Sequence, residues 1–76
     1  MKDEEVLRLL EELLELDRGA LNGTEALTDV GWDSMAVVSF VALADERFGV
    51  VLKPAVIRQS KTTGDLVRLL LSGAEA

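Results

Sequence analysis

The chain has 76 residues, a net charge of −6, and neither cysteine nor histidine; it is 49% hydrophobic, 29% charged and 4% aromatic. That length holds one small domain, residues 1–76, whose stability margin is thin enough that most apolar positions must be core. The missing residue types exclude disulfides, thiol chemistry and the usual zinc and copper ligands, and the acidic balance argues against nucleic acid as a partner.

Few aromatics and a single proline favour a folded, aliphatic, all-α domain. The charge is uneven: residues 1–33 carry ten acids and three bases, whereas residues 34–76 carry four acids and five bases. An acidic skin either steers the chain towards basic patches on other proteins or simply keeps it dissolved. The N-terminus lacks the apolar core of a signal peptide, and no eighteen apolar residues run together. The expectation is a cytoplasmic protein with no membrane association and no bound metal.

In chain order, Val6, Leu7, Leu9, Leu10, Leu13, Leu14 and Leu16 recur at helical spacing and predict a first helix from Asp3 to Leu16. Glu11, Glu12 and Glu15 are expected on its outer face, and Gly19 is expected to end it. Asp3, Glu4 and Glu5 suit the positive end of the helix dipole. The stretch "GALNGTEALTDVGWD" then has turn residues and no sustained period. Connections of that length are functional or hide a short turn of helix, and Leu21, Leu27 and Val30 should pin this one to the core.

Asp33 is a good N-cap for a second helix that should run to Phe48, with Gly49 as its stop. Pro54 fits the first position of a short third helix, "PAVIRQS". Thr62 and Asp65 have capping-box spacing and open a last helix from Thr63 to Leu71, after which "AEA" should fray.

Ser34 is the residue that invites a chemical question. A serine becomes a nucleophile when a neighbouring base takes its proton, yet the chain has no histidine, and Lys2, Lys53 and Lys61 lie in polar contexts. No catalytic residue is expected. In the first turn of a helix, however, unpaired amides and the dipole stabilise an attached phosphate. The plainer alternative is an ordinary N-terminal helix residue. Asp33 either caps the helix or holds a metal ion supplied by a modifying enzyme.

The tripeptide "DSM" at the start of the second helix resembles the hallmark of the acyl carrier protein family. An acidic first helix, the long loop, "ALADERFG" closing the second helix, Pro54 in the third and "TTGDLVRLL" opening the fourth extend the resemblance over nearly the whole chain. It implies a four-helix bundle with a long first connection and a short third helix. It also implies that Ser34 is esterified by 4′-phosphopantetheine, taken from coenzyme A by a phosphopantetheinyl transferase using magnesium. The thiol of that arm would carry acyl groups as thioesters between acyl-loading and acyl-processing enzymes. Aminoacyl and peptidyl carriers usually show a Gly-Gly-His-Ser-like motif, so Asp33 and the acidic balance favour acyl cargo.

Four further residues are candidates for partner docking: Trp32, Met35, Val37 and Arg58. Trp32 is either a staple packing on Val37 or an exposed contact. Met35 is either an adaptable contact, as the corresponding leucine is in the family, or core. The run from Met35 to Ala44 is too apolar for one buried stripe, so some of Val37, Val38, Phe40 and Val41 must face water. Arg47, Lys53, Arg58 and Lys61 cluster around the second and third helices, either as a plain solvated surface or as partner contacts, in which case Arg58 is the chosen one.

The fatty-acid carriers place acids two and five residues after the modified serine, where this chain has Ala36 and Ser39. That departure suggests a more apolar interface and a specialised pathway. The expected function is a discrete, monomeric, non-enzymatic acyl carrier in fatty-acid, polyketide or related synthesis, with Met1 and the short tail suggesting a free-standing protein. The alternative is an unmodified acidic helical interaction module.

Overall fold

A computed structural model describes residues 2–73, and the expected fraying of residues 74–76 lies outside them. Among the described residues four helices follow one another: α1 (Asp3–Leu14), α2 (Ser34–Phe48), α3 (Pro54–Arg58) and α4 (Thr63–Leu71). A single 3-10 turn, Leu27–Asp29, sits in the connection between α1 and α2. The described residues contain no strand, only an isolated bridge between Ala26 and Thr62. This is the all-α arrangement that the sequence predicts, including the long first connection and the short third helix.

The boundaries hold wherever a cap is encoded locally. The Asp33 carboxylate accepts the Ala36 amide at 2.9 Å and starts α2, and Gly49, at φ 67°, stops it. At α4, Thr62 Oγ1 accepts the Asp65 amide at 3.2 Å while Asp65 Oδ2 accepts the Thr62 amide at 3.1 Å, a reciprocal capping box. Pro54 opens α3 as expected, but that helix ends at Arg58, two residues short of the predicted stretch.

The end of α1 is a correction. It closes at Leu14, with Glu15 in the left-handed region at φ 59°, well before Gly19. The Leu16 amide reaches back to the Glu11 carbonyl at 2.8 Å, so the chain turns early and Leu16 packs against the core. Core contact thus places a glutamate in a conformation that costs a non-glycine residue about 1–2 kcal/mol.

Packing explains the remainder. α1 lies against α4 and α2, and α3 lies against α2. Val6, Leu9, Leu10, Phe40, Ile57, Leu66 and Leu70 are fully or almost fully buried at the centre. Each such side chain contributes roughly 1.5–3 kcal/mol, so a chain this small depends on every one of them.

The long connection is fixed to the turn before α4. The Leu27 amide donates to the Lys61 carbonyl at 2.9 Å, Thr63 to Glu25 at 3.0 Å and Gly64 to Gly23 at 2.9 Å. Leu21 and Leu27 are buried and Val30 half-buried, as expected of residues that pin it. Gly64 is required by this approach: a Cβ on it would stand 2.5 Å from the Gly23 carbonyl oxygen.

Candidate functional site

Ser34 is the first residue of α2 and is exposed. The chain reaches it through the 3-10 turn, then Gly31 at φ 79°, then Trp32, whose amide donates to the Leu27 carbonyl at 3.2 Å. Asp33 turns its carboxylate into the helix and takes the Ala36 amide, while its carbonyl takes the Val37 amide at 3.1 Å. Between these, the amides of Ser34 and Met35 make no hydrogen bond among the described residues. A primary hydroxyl therefore stands in solvent at the positive end of a fifteen-residue helix, beside two free donors. An anionic ester fits there, and nothing in the cap has to move. Of the two roles open to Asp33, the structure displays the cap.

Trp32 is half-buried, and its ring meets Phe40 edge-on, centroids 5.6 Å apart at 75°. The observed ring partner is Phe40, at the seventh helical position, and not the Val37 that the staple reading named. Such a pair contributes about 0.5–1.5 kcal/mol beyond its buried area, which steadies the residue two before Ser34. Val37 is a correction: only 5% of it is exposed and it belongs to the core cluster, so it cannot be a docking contact. Its neighbour Val38 is exposed at 66%, and Met35, at 73%, is a surface residue.

Met35, Val38 and the exposed Ala42 follow one another at intervals of three and four, which lines them up on one side of α2. The site thus gathers Trp32, Asp33, Ser34 and Met35 at the head of one helix, with Val38 on its flank. Arg58 is exposed on the separate helix α3. Ala36, two residues after the serine, is buried, which gives the missing acid at that position a physical reason; Ser39 is exposed.

Two functional supports were missed in the sequence. Glu11, expected outside, is only 2% exposed. Its carboxylate accepts the amides of Gly19 at 3.0 Å and Leu21 at 2.9 Å and pairs with Arg8 Nε at 2.7 Å, while Arg8 also donates to the Leu21 carbonyl at 3.1 Å. Burial pushes this carboxyl up, but the Leu21 and Gly19 amides and the Arg8 guanidinium outweigh it and hold it below the ordinary value.

Glu25 plays the same part later in the connection, taking the amides of Asn22 at 2.9 Å and Gly23 at 3.1 Å and the Thr63 hydroxyl at 2.8 Å. Burial again opposes ionisation and the hydrogen bonds again win. The signal for Glu11 was present: it lies four residues after Leu7 and three before Leu14, on the apolar stripe. Glu25 had no comparable periodic signal.

A family model described as "phosphopantetheine attachment site" matches residues 4–70, nearly the whole chain. No curated protein and no solved structure matches it. Among the described residues, no helix is long and apolar enough to cross a membrane.

Proposed function

We propose that Ser34 is the attachment point of the arm, because this chain belongs to the phosphopantetheine-attachment family of carrier proteins, whose cofactor is covalent 4′-phosphopantetheine. The observation that carries the assignment is the exposed hydroxyl at the first position of α2, behind the Asp33 cap and beside two unpaired amides. When attached, the arm supplies a thiol on which acyl groups travel as thioesters. The chain's own residues present that arm. Asp33 keeps the helix start formed, Trp32 fixes the approach against Phe40, and the amides of Ser34 and Met35 are available to an anionic ester.

Proteins of this family serve as carriers, meeting a phosphopantetheinyl transferase and acyl-processing enzymes. For this chain we take the role to be a monomeric, cytoplasmic acyl carrier with no catalysis of its own. The buried Ala36 and the uncharged Ser39 support a specialised fatty-acid, polyketide or related pathway. The exposed Met35 and Val38 also suit the alternative reading, an unmodified interaction module.

Incubation with coenzyme A, magnesium and a phosphopantetheinyl transferase separates the two. The expected result is a mass increase of one phosphopantetheine on the wild-type protein and none on Ser34→Ala. Wild-type protein that stays at its polypeptide mass would remove the assignment.

A further inference from the structure

Ser34 stands ahead of the packed part of α2. Asp33, Ser34 and Met35 are all exposed, and the first buried side chain of the helix is Ala36. The serine is therefore held by the Asp33 cap and by the segment of chain behind it, and that segment is anchored on the turn before α4. Trp32 donates its amide to the Leu27 carbonyl at 3.2 Å, and the Leu27 amide donates to the Lys61 carbonyl at 2.9 Å. Just upstream, Thr63 clasps Glu25 twice: its amide donates to the Glu25 carbonyl at 3.0 Å and its hydroxyl to the Glu25 carboxylate at 2.8 Å. Thr63 is wholly buried at the first position of α4, a costly place for a hydroxyl unless its bond is made.

We propose that the Thr63 hydroxyl is a positioning group for Ser34: through Glu25, Leu27 and Trp32 it fixes the start of α2, and an arm attached at Ser34 tightens the same clasp in return. The inference rests on the attachment of the arm at Ser34.

Two physical arguments carry it. A helix start is formed only while its cap is in place, and fraying of the first turn would move Ser34 and scatter the Ser34 and Met35 amides that an anionic ester would use. A small misplacement of a reacting group slows the chemical step more than it weakens binding. Coupling between two sites is also reciprocal. If the clasp favours the formed helix start, an ester that draws on that start favours the clasp by the same factor. A purely structural clasp would instead lower the unfolding free energy and leave turnover unchanged.

Loading of Ser34 by a phosphopantetheinyl transferase with coenzyme A and magnesium, read by intact mass, supplies kcat and KM for the wild type, for Thr63→Val, which removes the hydroxyl and keeps the branched shape, and for Thr63→Ser, which keeps the hydroxyl. Thr63→Val is expected to lower kcat about fivefold with KM within about twofold, and Thr63→Ser to bring kcat back to within about twofold of the wild type. Hydrogen exchange on the unmodified and the loaded wild type gives the reciprocal reading. The Leu27 and Gly64 amides should exchange about fivefold more slowly after loading, while the Ile57 amide of α3 is unchanged.

A kcat for Thr63→Val equal to that of the wild type would overturn the positioning role, as would a rise in KM alone. Leu27 and Gly64 amides that ignore loading, or a slowing shared equally by Ile57, would overturn the coupling, and this measurement needs no variant to fold. No loading of the wild type would instead remove the attachment at Ser34, an outcome recognisable because it does not depend on Thr63.

Discussion

The connection from Glu15 to Asp33 and the helix α3 reverse the usual relation between regular structure and order. The connection has only one 3-10 turn, yet the buried Glu11 and the half-buried Glu25 take its amides and three backbone hydrogen bonds fasten it to the turn before α4. α3 is a helix, but it has five residues, a single buried side chain in Ile57, and an N-cap without a side-chain hydrogen bond. Order here follows from which polar groups are satisfied by distant partners, and secondary structure by itself does not supply it. For a carrier the division is useful: the approach to Ser34 is held still while α3 has fewer restraints.

Hydrogen exchange is the direct measure of that contrast, with the Leu21 and Leu27 amides expected to exchange more slowly than those of α3. The largest break should come from Glu11→Ala, which leaves Arg8 and two amides without their acceptor. A loss of about 3 kcal/mol in denaturant unfolding is expected, with the Gly19 and Leu21 amides exposed first.

The same carboxylate sharpens the comparison through pH. Glu11, Glu25 and Asp65 are all held below their ordinary values of 4.5, 4.5 and 3.8. For Asp65 the Lys61 and Thr62 amides are the main cause. A depressed carboxyl stabilises the folded state above its unfolded value, and that contribution is lost as pH falls towards the folded value. Stability should therefore be flat above about pH 5 and drop below about pH 4.5, with a shallower drop in Glu11→Gln.

Gly64→Ala comes next. The new methyl would strike the Gly23 carbonyl, separating the connection from α4, and should cost about 2 kcal/mol while leaving α3 exchange unchanged. The smallest effect is a gain. Glu15→Gly relieves the left-handed glutamate at the end of α1 and should raise the unfolding free energy by up to about 1 kcal/mol, measurable as a small upward shift in Tm. A loss in that variant would show that the Glu15 side chain does work the backbone geometry does not reveal.

The amino-acid sequence by itself determined the elements whose signals are carried within a few residues. Asp33 and Gly49 bound α2, Pro54 opens α3, and Thr62 with Asp65 opens α4, because a cap is satisfied by amides three residues away. The position of Ser34 at a helix start follows from the same local chemistry. Tertiary structure decided the inward face of Val37, the outward face of Val38, the early end of α1, the burial of Glu11 and the close approach of Gly23 to Gly64. Each of these depends on partners outside the local helical repeat, and an amphipathic pattern as apolar as that of α2 does not specify which way the helix turns until the other helices are packed against it.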